Sequence, residues 1–213
     1  HHPEHKSTAY DLALIARAAM MNPEFAKIVG TSTWTWEHPT DTRVLVNRNR
    51  LLWQFSGADG VKTGWTSQSG RSLVASATRD GWRLISVVLN APMMFTESMR
   101  LLNHGFDSFA SLKVAPRGAV LARAHVGEQE LRAIVLADVY AVVPKGRTVT
   151  SRVTLRRDLT LPIARGSNVG EAVFLNAGAE VARAPLVAAG DIYPPSMAAR
   201  IRRWLRSWQL WWR

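Results

Sequence analysis

From Lys113 onward the chain is cut into short pieces by Gly118, Gly127, Pro144, Gly146, Gly166, Gly170 and Gly178. Glycine opens positive φ at no steric cost and proline removes a backbone donor, so neither is at home inside a long helix. The intervening pieces, 120–126, 131–143, 148–155, 159–163, 169–175 and 180–187, carry short apolar, β-branched runs. Regular short strands with turn signals predict a small β-sandwich or barrel. The character changes near 111–115, which divides the chain into units 1–112 and 113–192 and a tail, 193–213. No internal repeat or low-complexity stretch is present.

The first unit reads as mixed. Residues 7–21 predict a helix, with Thr8 and Asp11 as a capping pair and Leu12, Ile15, Ala16 and Ala19 as its apolar face. Asn22-Pro23 starts a second helix with Phe25, Ile28 and Val29 inward and Gly30 as the stop. Residues 31–36 alternate as a strand, and 44–53 form a strand and turn rich in Asn and Arg. Three more strands follow at 61–66, 72–78 and 82–89, the last two joined by Arg79-Asp80-Gly81, a hairpin signal. Residues 92–109 return to helical periodicity with Met94, Met99, Leu101, Leu102 and Phe106 apolar. The fold class is therefore α+β: helices on an antiparallel sheet, then a small all-β sandwich, then a C-terminal amphipathic helix.

Charge is concentrated rather than spread. The net charge is +11, and Arg200, Arg202, Arg203, Arg206 and Arg213 lie in the last 20 residues with no acid among them. Met197, Ile201, Trp204, Leu205, Trp208, Trp211 and Trp212 recur there at helical spacing. A spanning helix needs about 20 mainly apolar residues and tolerates arginine at its centre poorly. A basic, Trp-rich amphipathic helix fits one lying in the plane of an anionic membrane surface; packing on the protein or a partner is the alternative. No zinc-finger or RNP-type motif is present, so nucleic acid is not the expected partner. The 213 residues include no cysteine, which excludes disulfides and thiolate chemistry.

Within the first unit, Asp59-Gly60-Val61-Lys62-Thr63-Gly64-Trp65-Thr66-Ser67 places an ammonium, a hydroxyl and bare backbone side by side on one strand. That trio suits gripping a carboxylate beside a reacting carbonyl. Lys-Thr-Gly is also one of three signatures of serine acyl-transferases, the others being Ser-x-x-Lys and a Ser-x-Asn type motif. Pro3, Glu24, Asp59, Ala110 and Val142 stand three residues before the five lysines, and no asparagine has serine two positions before it. One third of a catalytic site is legible, without nucleophile or general base.

The order of these features resembles the D-alanyl-D-alanine carboxypeptidases, the low-molecular-mass penicillin-binding proteins, over nearly every residue. Residues 7–13 resemble the family's helix start, Asn47-Arg48-Asn49-Arg50-Leu51-Leu52 its Asn-x-Asn-x-Leu segment, and 59–67 with Gly70 its Lys-Thr-Gly strand. Residues 72–77, 83–89 and 101–106 look like the next two strands and the closing helix, and the family likewise ends in a β-sandwich stalk and a membrane-anchoring helix. The resemblance implies a partial transpeptidase-like domain, shared with β-lactamases, whose serine motifs lie upstream of His1. The implied activity is serine-type removal of the terminal D-alanine from peptidoglycan stem peptides, with no cofactor, at the outer face of the bacterial cytoplasmic membrane. β-Lactam antibiotics, as mimics of D-Ala-D-Ala, are the implied inhibitors of the full-length enzyme.

In that reading Lys62 supplies positive charge to the substrate carboxylate, Thr63 hydrogen-bonds it, and Gly64 lets the peptide approach as an added strand. Trp65 lends its backbone N–H to an oxyanion hole, and Thr66 and Ser67 line the cleft or form its turn. Ile201, Trp204, Leu205, Trp208, Trp211 and Trp212, with Arg202, Arg203 and Arg206, form the expected anchor. No Arg occurs in 90–97, where some family members carry one, so carboxylate recognition is expected to lean on Lys62 and Thr63. The rival readings are a non-catalytic membrane- or wall-associated fragment and a β-lactamase-related serine hydrolase. His1, His2 and His5 show no fixed four-ligand pattern and predict no metal site. His38, His104 and His125 are expected to be structural, and Met93, Met94 and Met99 to pack in the core.

Overall fold

The structure, a computed structural model, describes residues 2, 4, 6–194, 197 and 201. Helix α1 (Ala9–Ala19) begins where expected because Thr8 Oγ1 accepts the Asp11 N–H at 3.1 Å and donates to Asp11 Oδ2 at 2.8 Å. Helix α2 (Pro23–Gly30) is capped by Asn22, whose Oδ1 accepts from the Glu24 and Phe25 amides. Ala16 and Met20 are buried with Val61, against Phe25, Ala26 and Val29. Ile15 and Ile28, expected inward, are instead exposed. Each lies one residue, about 100° of helix rotation, from the stripe that packs.

Strands β1 (Thr33–His38) and β2 (Asp41–Val46) form an antiparallel hairpin that is exposed almost throughout. Trp36 stacks on His38, and the Arg43 guanidinium lies over the Trp36 ring. After a single turn of helix, α3 (Leu51–Gln54), come β3 (Ala58–Thr66), β4 (Gly70–Arg79) and β5 (Trp82–Val88), an antiparallel sheet in that order. Asp80 and Gly81 join β4 to β5 with φ of 50° and 76°. Two successive positive φ values define the type I′ hairpin turn that Asp-Gly favours. Helix α4 (Met94–Ser108) follows.

The sheet is covered on both faces. Val74 and Ile85 face the α1–α2 layer. The alternate residues Leu73, Ala75 and Ala77 pack with Leu51, Phe55, Leu102 and Phe106 from α3 and α4. Met94 and Met99 join this second layer, whereas Met93 and Leu101 are exposed, contrary to expectation.

The chain divides into two compact units between Phe109 and Ala110. In the second, β6 (Phe109–Ala115) pairs with β9 (Val139–Pro144). A five-stranded sheet runs β10 (Thr150–Leu155), β11 (Asn168–Asn176), β12 (Ala179–Ala188), β8 (Gln129–Ile134), β7 (Val120–Val126). Their core includes Ala115, Leu131, Val135, Val169, Phe174 and Leu186. Three sequence expectations change here. Strand β6 lies across the stretch taken as a boundary. The single strand expected at 131–143 is two, because Asp138 breaks it to accept the Arg117 amide at 2.8 Å and pair with Lys113 Nζ at 2.6 Å. Residues 159–163 form no strand, only a bridge between Ile163 and Ile192.

Of the expected tail helix, Met197 and Ile201 have helical backbone and are exposed. Arg202, Arg203, Trp204, Leu205, Arg206, Trp208, Trp211 and Trp212 lie outside the described residues, as do His1 and His5.

Candidate active site

The Lys62-Thr63-Gly64 triplet sits in the outer half of β3, which is an edge strand among the described residues. Its inner side is fixed by pairing with β4: Val61 opposes Ala75, Lys62 opposes Val74, Thr63 opposes Leu73 and Gly64 opposes Ser72. The strand goes from buried to exposed along its length. Gly60 and Val61 are buried, Thr63 is half-buried, and Lys62, Gly64 and Trp65 are exposed. An apolar root thus anchors a polar, accessible edge, the geometry needed to present backbone and side chains to an extended peptide.

Lys62 Nζ donates to the Thr63 carbonyl at 2.7 Å and forms no ion pair within the described residues. A Cβ on Gly64 would meet nothing within 4 Å. The chain's own packing therefore does not require glycine there, and the open side is available to an incoming backbone. Trp65 is 70% exposed. Thr66 has a different job: its Oγ1 bonds Ser69 Oγ and accepts the Ser69 amide at 3.0 Å, closing the turn into β4. Of the five sequence-predicted site residues, Lys62 to Trp65 share the accessible edge, while the Thr66 side chain is committed to the turn.

Two side-chain networks hold the root of this strand. Asn49, 1% exposed, donates from Nδ2 to the Gly60 carbonyl at 2.8 Å and accepts the Leu51 amide at 3.2 Å. Asn47 Oδ1 accepts the Asn49 amide, and its Nδ2 donates to the Thr31 carbonyl at 3.0 Å. The Asn-x-Asn segment therefore ties the end of α2 to the start of the Lys62 edge.

The second network was not read from sequence. Asp59 Oδ1 accepts from Ser76 Oγ at 2.6 Å, and its Oδ2 accepts from Thr78 Oγ1 at 2.6 Å and Arg83 Nε at 3.0 Å. Arg83 Nη1 continues to the Met20 carbonyl at 3.1 Å. The sequence signal was the alternate spacing of Ser76 and Thr78, which with Ser72 puts hydroxyls on one face of β4.

Comparison with known proteins identifies the family. Residues 1–93 match the D-alanyl-D-alanine carboxypeptidase family, and residues 109–193 match the penicillin-binding protein 5 C-terminal domain. The chain belongs to the low-molecular-mass penicillin-binding protein family. It is 33% identical over 95% of its length to the Haemophilus influenzae D-alanyl-D-alanine carboxypeptidase DacA, and 32% identical over 93% to DacD of Escherichia coli. It covers 54% and 53% of those proteins, so it spans about half the length of the curated relatives it matches. Among solved structures, penicillin binding protein 5 from Haemophilus influenzae superposes with a TM-score of 0.75 at 33% identity, covering 91% of this chain and 58% of that one. Penicillin binding protein 6B from Escherichia coli gives 0.58 at 31% identity, covering 87% and 51%.

Proposed function

We propose that the Lys62–Trp65 edge is the substrate-holding wall of a serine-type D-Ala-D-Ala carboxypeptidase that removes the terminal D-alanine from peptidoglycan stem peptides. The observation that carries this is the exposed β3 edge, unpaired among the described residues, with Lys62 beside Thr63, within residues matching that family. The peptide lies along the edge as an added strand. Lys62 and Thr63 take its terminal carboxylate, and the Trp65 N–H faces the oxygen of the scissile carbonyl. A donor in that position lowers the barrier by about 3 kcal/mol. A serine oxygen attacks the carbonyl, the C–N bond breaks, D-alanine leaves with a proton, and water cleaves the resulting ester. β-Lactams, which mimic the same terminus, acylate the same serine. The chemical step requires a nucleophile and base that these 213 residues do not carry in Ser-x-x-Lys form, so the chain alone holds substrate without turning it over.

The test has two arms. A polypeptide extended through an in-frame upstream Ser-x-x-Lys releases D-alanine from diacetyl-Lys-D-Ala-D-Ala, and Thr63→Val lowers its kcat/KM by about tenfold or more. The 213-residue chain remains unlabelled by fluorescent penicillin. Labelling of that chain, or an extended enzyme indifferent to Thr63→Val, rejects the proposal.

Residues 193–213 are proposed to anchor the protein peripherally on an anionic membrane surface at the extracytoplasmic face. Their sequence pattern of tryptophans against arginines supports this. No helix of the described residues is long and apolar enough to cross a membrane. Co-sedimentation with anionic liposomes is expected for the whole chain and lost on removing 194–213; equal pelleting of both forms rejects the anchor.

A further inference from the structure

Asp59 is the point at which β3 departs from regular pairing. Ala58 opposes Ala77 and Gly60 opposes Ser76, so Asp59 is an extra residue without a counterpart in β4. It is the inserted residue of a β-bulge three positions before Lys62. Bulges bend a strand and re-aim the side chains beyond them, and a one-residue slip would move every side chain to the other face. The pairing that presents Lys62, Thr63 and Gly64 therefore depends on the extra residue staying at position 59.

The side chains around Asp59 fix it there. Its carboxylate spans the sheet, bound by Ser76 and Thr78 of β4 and by Arg83 of β5, with Arg83 Nη2 also 3.0 Å from Oδ2. Arg83 extends the tie to the Met20 carbonyl at the C-terminal end of α1. Gly60 makes the close approach possible, since a Cβ there would come within 3.0 Å of Val29 Cγ2 and 3.1 Å of Ser76 Oγ. An ion pair serving stability alone needs neither the bulge nor two hydroxyls aimed at the same carboxylate.

We propose that Asp59 is a positioning residue for substrate binding: the carboxylate locks the bulge, and the bulge sets the register in which Lys62 and Thr63 meet the peptide carboxylate. This rests on the reading of the Lys62–Trp65 edge as the substrate-holding wall, and the experiment separates the two. The intact chain is compared with Asp59→Ala, Asp59→Asn and Val88→Ala, the last removing core packing from the same sheet without touching the network. Cross-strand NOEs for Val61–Ala75 and Thr63–Leu73 report register, amide exchange reports local opening, and titration with diacetyl-Lys-D-Ala-D-Ala reports binding.

The expected result is that Asp59→Ala loses those NOEs, exchanges faster at Val61–Trp65 than in β5, and binds the peptide about tenfold more weakly, as for loss of a part-buried polar network. Asp59→Asn, which keeps the size and an accepting oxygen, recovers most of the binding. Val88→Ala lowers global stability and leaves register and binding intact. If Asp59→Ala does not fold, Thr78→Val, which removes one of the bonds, carries the same readouts in weaker form. Retained NOEs with exchange rising evenly through β3–β5, or unchanged peptide binding despite lost register, would overturn the proposal. Failure of the unsubstituted chain to bind the peptide rejects the substrate reading and, with it, a substrate-positioning role for Asp59; the NOEs then decide only whether Asp59 holds the strand.

Discussion

Asn49→Ala is the sharpest single test of how the Lys62 edge is built. The amide is 1% exposed, donates to the Gly60 carbonyl at 2.8 Å and accepts the Leu51 amide at 3.2 Å. Alanine removes both bonds and encloses the groups they served, where water reaches them poorly. Each buried group left without this partner costs about 1–3 kcal/mol, so the pair costs roughly 2–6 kcal/mol, and the small cavity adds to that. Domain stabilities are about 5–15 kcal/mol, so the loss is a large share of the unit's stability. Asn49→Asp sharpens the reasoning: it can still accept from Leu51 but cannot donate to Gly60 when ionised, and it buries a charge. The assay is urea denaturation followed by circular dichroism and by the indole NMR signals of the first unit. A loss under about 1 kcal/mol for Asn49→Ala, or an Asn49→Asp variant as stable as the parent, would refute the account of how β3 is held.

Other perturbations probe the same structure. Leu102→Ala, at a side chain 1% exposed between α4 and the sheet, is expected to cost about 2–5 kcal/mol in the same assay. Gly81→Ala forces a Cβ into φ 76° and is expected to cost about 1 kcal/mol, read as a lower urea midpoint with unchanged slope. Lys113 and the Arg117 amide hold the Asp138 carboxyl below its ordinary value, while Asp138 and Tyr140 raise Lys113. The carboxylate's contribution is therefore full above the ordinary carboxylate range and fades as pH falls through the depressed value. That of Lys113 is full below the ordinary lysine range and fades as pH rises through the raised one. Carboxyl-carbon and Nζ NMR titrations check both directions, and Asp138→Asn should return Lys113 toward its ordinary value.

Much of the first unit was legible because local chemistry and tertiary structure agree. Thr8 and Asn22 specify caps through bonds to neighbours in sequence and Asp80-Gly81 a turn through two positive φ values, and each does so in the structure. The errors come from orientation. Ile15, Ile28 and Met93 are apolar residues beside a buried stripe, and only the position of the sheet decides which neighbour is covered. In the second unit, the split of 131–143 depends on a bond between Asp138 and Arg117, far apart in sequence, which no periodicity records. The candidate site shows the same division. Lys62, Thr63 and Gly64 were readable as a contiguous motif, whereas Asp59, Ser76, Thr78 and Arg83 come together only when three strands are aligned.

Backbone chemical-shift mapping of the intact 213-residue chain with diacetyl-Lys-D-Ala-D-Ala, against the L-Ala-L-Ala diastereomer, tests the substrate-holding claim directly. The account predicts saturable shifts centred on the amides of Lys62 to Trp65 with the D,D peptide only, abolished by Thr63→Val and retained in Trp65→Ala, whose role is carried by its backbone. Equal response to both peptides, or shifts centred away from β3, would contradict it.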